Sequence, residues 1–278
     1  MVELISFGPF TFYFFGLMIG IGIVLGTLLL KKLAEREQVD FKRLFDIGLY
    51  AFIGGIIGAR IFYIVFYNPT YYFANPVEIF MIHRGGLSIH GGLFAGLLTS
   101  FYLLKRYRLP IWKVLDIAAP ALILAQAVSR IGCDVFGRPL SNNWHWGVMF
   151  NGEYLHPVQA YEFILSYLLL GYLLWLFYRK VYQGQVFLHY LIGFMLIRSF
   201  VEFFRINPSV GGFVSISHLL GLAFIILTLG LISYCRKNSR LPKSDKQIPA
   251  KNYYYTVIII GTLIIVSLFI YYGVHTLM

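Results

Sequence analysis

Between Gln126 and Glu162 the chain reads QAVSRIGCDVFGRPLSNNWHWGVMFNGEYLHPVQAYE, which brings Arg130, Asp134, Arg138, His145, Glu153, His156 and Glu162 into one stretch. A second constellation, RSFVEFFR, sets Arg198, Glu202 and Arg205 at i, i+4 and i+7, a spacing that puts all three on one face of a helix. A third, HRGGLSIHGG, sets His83, Arg84 and His90 among paired glycines, whose backbone freedom allows close approach of a ligand and whose amides can form an anion-binding nest. Arginine forks match phosphate and carboxylate, carboxylates aim the forks, and histidine moves protons near neutral pH. Two arginines to one carboxylate in RSFVEFFR leave a net positive charge. The choice there lies between a buried ion triad and an anion site, and the excess charge favours the anion site.

The elements that must position these residues are apolar. Of 278 residues 59% are hydrophobic, 18% aromatic and only 13% charged, with a mean hydropathy of +0.73, which places the chain in the membrane class. A transmembrane helix needs roughly 20 mainly apolar residues. Runs of that kind occupy about 9–30, 44–67, 87–104, 113–131, 157–178, 186–205, 212–234 and 253–273. The third and fourth are short and polar at one end, which allows a re-entrant or broken start near Leu87. No basic region precedes the first run, since the first lysine is Lys31, so the first helix is expected to be retained rather than cleaved as a signal peptide.

A formal net charge of +11 is compatible with nucleic-acid binding in general, but here the basic residues lie at the ends of apolar runs, the pattern of cytoplasmic loops. Lys31, Lys32, Arg36, Lys42 and Arg43 follow the first run; Lys105, Arg106, Arg108 and Lys113 the third; Arg179 and Lys180 the fifth; Arg236, Lys237, Arg240, Lys243, Lys246 and Lys251 the seventh. Alternate loops are therefore cytoplasmic and both termini lie outside. The remaining basic residues are Arg60, Arg84, Arg130, Arg138, Arg198 and Arg205, all arginines and all at or near the outer face. Uncompensated charge at membrane depth is costly, which makes each a functional candidate. Cys133 and Cys235 fall on opposite faces in this topology, where they cannot pair.

Single residues divide between packing and chemistry. Gly16, Gly20, Gly22 and Gly26 in the first helix form a small-residue pattern that favours close helix packing over a lipid-entry role. Arg60 in GARIFYIVFY either snorkels outward or turns in along the glycine-rich face of Gly54 and Gly58. Asp46 and Asp116 are expected at helix starts, where a carboxylate complements the N-terminal dipole. HPVQAYE offers Gln159 and Glu162 behind Pro157, which suits a first helical turn, and Glu162 has the chemistry to balance one arginine.

Taken together, GARIFYIVFY, RGGLSIHGG, SRIGCDVFGRP, WGVMF, HPVQAYE and RSFVEFFR resemble, in order, the motifs of bacterial prolipoprotein diacylglyceryl transferases, over roughly residues 5–235. The resemblance implies an all-α integral membrane protein, a polytopic helical bundle of about seven family-like spans, in the bacterial cytoplasmic (inner) membrane with its active face at the outer leaflet. It implies transfer of the diacylglyceryl group of phosphatidylglycerol to the lipobox cysteine thiol of prolipoproteins, with release of glycerol phosphate and no cofactor or metal. It marks His90, Arg130, Arg198 and Glu202 as catalytic candidates, with Arg60, Arg130, Asp134, Gly137, Arg138, Glu162, Arg198 and Arg205 toward substrate. Arg130 and Arg198 fall to the phosphate, His90 or Glu202 to the proton, and Arg205 to orientation.

The chain departs from the family pattern in three places. After Arg130 the signature is shorter by about four residues, Ser129 stands for a glycine and Cys133 for an asparagine. Phe15 stands for a first-helix tyrosine, which leaves Tyr13 as the nearest hydroxyl. Residues 1–235 form the transferase-like part, 236–252 a basic cytoplasmic linker, and 253–278 an extra C-terminal helix. The shortened signature suggests that Asp134, four residues after Arg130, moves beside it to replace a more distant glutamate. Two rival readings stand beside the transferase: a diverged or inactive family member, and a non-enzymatic lipid or organic-anion transporter. The topology makes a direct prediction: membrane-impermeant thiol reagents applied from outside label an engineered cysteine at Ser209 and not one at Ser244. Labelling at Ser244 would contradict the shared outer face.

Overall fold

The computed structural model describes residues 2–7, 10–82, 85–141, 144, 146–206, 209–211, 214–239, 241 and 250–275. His83, Arg84, His145, Arg240, Lys243, Ser244 and Lys246 lie outside the described residues. The helices are α1 (Phe14–Arg36), α2 (Phe41–Tyr67), a short α3 (Pro69–Ala74), α4 (Ile89–Arg106), α5 (Ile111–Ile131), α6 (Val158–Phe177), α7 (Gln185–Glu202), α8 (Ile216–Asn238) and α9 (Ala250–His275). Each expected apolar run is a helix. Among the described residues those long and apolar enough to cross a membrane number seven, α9 from Tyr254 onward among them, and the exception is α4, which carries His90, three glycines, Thr99 and Ser100 in its 18 residues. The protein is a multi-pass membrane protein. Large apolar side chains stay exposed along its helices, as they do where lipid is the solvent, including Leu219, Leu222 and Ile226 on α8 and Ile258, Ile265 and Phe269 on α9.

The described residues also form a 3₁₀ helix at Pro76–Phe80 and three antiparallel hairpins: β1 (Glu3–Phe7) with β2 (Phe10–Tyr13), β3 (Val148–Phe150) with β4 (Glu153–Leu155), and β5 (Ser209–Gly211) with β6 (Val214–Ser215). The first hairpin corrects the expected start of helix one at residue 9: the apolar run begins as a hairpin and becomes helical only at Phe14. In β3–β4 the turn residues Asn151 and Gly152 have φ of 50° and 85°, the left-handed pair that matches the twist of a tight hairpin.

The helices form two compact units, residues 34–114 and residues 1–33 with 115–278. In the first, α2 and α4 touch backbone to backbone. A Cβ on Gly58 would lie 2.8 Å from the Gly91 carbonyl oxygen, and one on Gly92 would lie 3.3 Å from that of Gly55. Gly91 and Gly92 therefore serve helix packing, not ligand approach. Arg60 turns inward and is buried. Its Nε donates to Ile79 O at 2.9 Å, its Nη1 to Gly85 O at 2.8 Å and Gly86 O at 2.9 Å, and its Nη2 to Glu78 O. Gly85 and Gly86, at φ of 87° and 77°, turn their carbonyls toward this cation, so the expected anion nest is instead a cradle for a guanidinium.

In the second unit α5 and α6 supply most of the core. Gly22 and Gly26 of α1 lie against the backbone of Ala125 and Ala121, where added Cβ atoms would come within 2.7 and 3.0 Å of the carbonyl oxygens. Gly16 and Gly20 have no such neighbour and line an open apolar groove of about 920 Å³ with Phe12, Tyr13 and Leu17. Val158, Ile197 and Val201 join α6 to α7. On the other side of α6, the Tyr167 hydroxyl meets Ser267 Oγ of α9 at 2.9 Å.

The two aspartates are not helix starters. Asp40 caps α2, accepting from Lys42 N at 2.9 Å, and Asp46 lies in the second turn. Asp116 lies within α5, fully buried, and caps a different helix: it accepts from Gly184 N at 2.8 Å and Phe187 N at 3.0 Å at the start of α7, with Lys180 Nζ at 3.9 Å. Cross-helix capping ties α5 to α7 and satisfies orphan amides. Hydrogen bonds to a charged group are worth about 1.5–3 kcal/mol each. Asp116→Ala is expected to destabilise the protein by about 3 kcal/mol, measured by unfolding in mixed micelles, whereas Asp46→Ala should change little.

Candidate functional site

The polar stretch after α5 is shaped by its backbone. α5 ends one residue after Arg130, and the chain then runs alongside the β3–β4 hairpin: Gly137 N donates to His156 O at 2.9 Å, His156 N to Arg138 O at 3.0 Å, and Leu140 N to Tyr154 O at 2.8 Å. Arg138 N donates to Phe204 O at 2.8 Å, which attaches the same segment to the turn after α7. Gly137 sits where these strands meet. A Cβ there would lie 2.4 Å from Phe204 O and 2.6 Å from Val158 Cγ1.

This frame sets two ion pairs. Arg130 Nε lies 2.9 Å from Glu162 Oε1, with the glutamate side chain only 5% exposed, and Arg130 Nη1 reaches Cys133 Sγ at 3.7 Å. Arg198 Nη2 lies 3.1 Å from Glu202 Oε2, on a carboxylate 1% exposed. Arg205 Nε is 4.0 Å from the same oxygen. α7 ends at Glu202, so the expected single helical face is corrected: Arg205 lies beyond the helix, and the turn Phe203–Phe204 brings it back to Glu202. Arg205 interacts electrostatically with Arg198, Glu162, Glu202 and Arg130 together, so the two pairs form one cluster. Three cations face two anions, and one positive charge is in excess. Burial pushes Arg205 below the usual arginine range, with Arg198 adding to the shift, yet a guanidinium stays protonated.

Asp134 does not take the place expected of it. The carboxylate on Arg130 is that of Glu162, 32 residues away in sequence, because α5 stops at Ile131 and the i, i+4 relation ends with it. Asp134 instead faces α9, within electrostatic reach of Tyr271 and His275. Arg138 is exposed and its Nε donates to Arg205 O at 3.0 Å. His90 is exposed in the first turn of α4, in the other compact unit from the cluster. Arg60, as described, is engaged by loop carbonyls. Among the described residues no group of three His, Cys, Asp or Glu is placed to hold a metal.

Several residues with a part in this arrangement escaped the motif reading. Ser215 Oγ donates to Glu202 Oε1 at 3.1 Å, and Ser215 N donates to His218 Nδ1 at 3.1 Å. His218 Nε2 donates to Ser199 O at 3.0 Å, so its Nδ1 is the accepting nitrogen. The signal was a serine three residues before a polar side chain at the start of an apolar run, the pattern of a helix cap. His156 Nδ1 lies 3.1 Å from the Tyr161 hydroxyl, and burial pushes its pKa below the usual histidine value. Gly137→Ala tests the frame: the fixed neighbours leave no room, and activity should fall more than 10-fold with a lowered unfolding midpoint, whereas Gly152→Asn, in an open left-handed turn, should be tolerated.

The family model described as prolipoprotein diacylglyceryl transferase matches residues 2–234. A phosphatidylglycerol–prolipoprotein diacylglyceryl transferase of Halalkalibacterium halodurans is 31% identical over 247 residues, covering 84% of this chain and 85% of that protein. Proteins of the same name from Finegoldia magna and a Nostoc species are 33% and 32% identical, each over 84% of this chain and over 94% and 89% of their own lengths.

Proposed function

The chain belongs to the prolipoprotein diacylglyceryl transferase family, and we propose that it transfers the diacylglyceryl group of phosphatidylglycerol to the lipobox cysteine thiol of prolipoproteins. We place it in the bacterial cytoplasmic membrane, with the reaction at the outer leaflet. The observation that carries the reading is the Arg130, Glu162, Arg198, Glu202 and Arg205 cluster, with its one positive charge in excess. Family membership removes the ground for a transporter.

In the reaction the thiol sulfur attacks the glyceryl carbon that bears the phosphate ester. A carbon–sulfur bond forms, the carbon–oxygen bond breaks with its electrons, and glycerol phosphate leaves carrying the charge. A phosphate that gains charge as it departs needs fixed donors, and these matter most where water is scarce. Arg130 and Arg198 serve it: each has one edge of its guanidinium on a buried carboxylate, and the fork extends beyond that edge. Arg205 orients Arg198 through their shared carboxylate, Glu202. Glu202 already accepts from Arg198 and Ser215, which suits it to holding the arginines. The thiol proton leaves to a base as the sulfur attacks.

Incubating the purified protein with phosphatidylglycerol and a lipobox peptide should yield a diacylglyceryl thioether by mass spectrometry, and no thioether would refute the reading. Arg130→Lys and Arg198→Lys keep the charge and lose the planar fork, and turnover should fall on the order of 10²-fold in each. Near-normal turnover in both would make these arginines structural. Cys133 is buried with its sulfur on Arg130, and the accepting thiol belongs to the substrate, so no enzyme thioester or thioether is required. Cys133→Ser should remain active, and a diacylglyceryl adduct on Cys133 would overturn direct transfer.

A further inference from the structure

We propose that α9, which lies beyond the matched residues 2–234, holds the shortened segment after Arg130 in place, and that Tyr271 is the positioning residue through which it does so. The Tyr271 hydroxyl donates to Gln159 Oε1 at 3.1 Å, and Gln159 Nε2 donates to Cys133 O at 2.9 Å. Both side chains are buried. A carbonyl oxygen only accepts, so the amide nitrogen must face Cys133 and the amide oxygen must face the tyrosine; the chain of bonds has one consistent direction. Cys133 is also the residue whose sulfur meets Arg130 Nη1. The path from α9 to the guanidinium assigned to phosphate thus runs through two hydrogen bonds to the Cys133 backbone and a third, longer contact from the Cys133 sulfur to Arg130.

Neighbouring residues of α9 reach the same region. The Tyr272 hydroxyl donates to Trp146 O at 2.6 Å, and the His275 ring stands edge-on to Phe136, centroids 5.4 Å apart. Within about one helical turn α9 therefore touches SRIGCDVFGRP, WGVMF and HPVQAYE. The sequence gives the reason such support is needed. The segment after Arg130 is short, and Cys133 is a poor hydrogen-bonding side chain, so its backbone carbonyl is fixed from outside. One turn earlier on α9, Ser267 Oγ meets Tyr167 of α6, and that contact joins the helices without touching the segment.

The effect on turnover rests on the proposed function; the hold on the segment does not. The test uses the full chain in lipid nanodiscs, comparing wild type, Tyr271→Phe and Ser267→Ala by hydrogen exchange and by transfer from phosphatidylglycerol to a lipobox peptide. Tyr271→Phe keeps the ring against Phe163 and removes only the donor. Its amides at 132–137 should exchange faster while those of α7 do not, and kcat should fall about 10-fold with KM for phosphatidylglycerol unchanged, the mark of a misaimed group. Ser267→Ala should match wild type in both. Wild-type exchange in Tyr271→Phe overturns the inference, as does faster exchange with unchanged turnover, or an equal loss in Ser267→Ala. A wild type that makes no thioether, with faster exchange at 132–137 in Tyr271→Phe, overturns the transferase reading and supports the hold.

Discussion

An arginine at membrane depth must be given partners, and this constraint organises the polar parts of the molecule. Arg60 is given four loop carbonyl oxygens, which are neutral, numerous and fixed; they use nearly all its donors. Arg130, Arg198 and Arg205 are given carboxylates, but only Glu162 and Glu202 serve all three. The first solution holds a loop. The second leaves charge for an anion. The same residue type thus has its donors filled by carbonyls in one unit and shares two carboxylates among three arginines in the other, and the difference lies in whether the partners exhaust it.

The scaffold exists to keep those partners exact. Glu162 faces Arg130 because α6 starts directly behind the β4 strand, whose backbone is paired with the Gly137–Leu140 segment. Glu202 is fixed at the last position of α7 by Ser215 and, behind it, His218 at the first turn of α8. Asp116 does comparable work at the other end of α7, so that this helix is pinned by side chains from α5 at its start and α8 at its end. Apart from the Ser215–His218 cap, none of these contacts is local in sequence. Each crosses between helices that apolar packing alone would leave free to slide, because lipid is as apolar as the side chains that face it.

Reading the chain as a string recovered what depends on length and local spacing. Every long helix was visible, because an apolar run of some 20 residues has few other uses. Helix ends were less legible: FGPFTFY carries as much apolar character as a helix start, and only the pairing of Glu3–Phe7 with Phe10–Tyr13 makes it a hairpin. The arginine-rich motifs were visible through family resemblance, but their partners were not. Asp134 looked close to Arg130 by counting residues, and counting fails once α5 ends. The Asn151–Gly152 turn was a signal present in the sequence and passed over. The links from Tyr271 to Gln159 and from Asp116 to Gly184 span 112 and 68 residues, and no periodicity within a helix encodes them.

The account stands on the claim that the excess charge of the arginine cluster receives a phosphate. The most direct measurement is titration of the purified protein with glycerol phosphate, the leaving group itself, followed by phosphorus NMR. The account predicts saturable binding at a single site, lost when Arg130 and Arg198 are both replaced by glutamine and retained when Arg60 is lysine. Binding that survives loss of both cluster arginines, or that disappears with the Arg60 substitution alone, would contradict it.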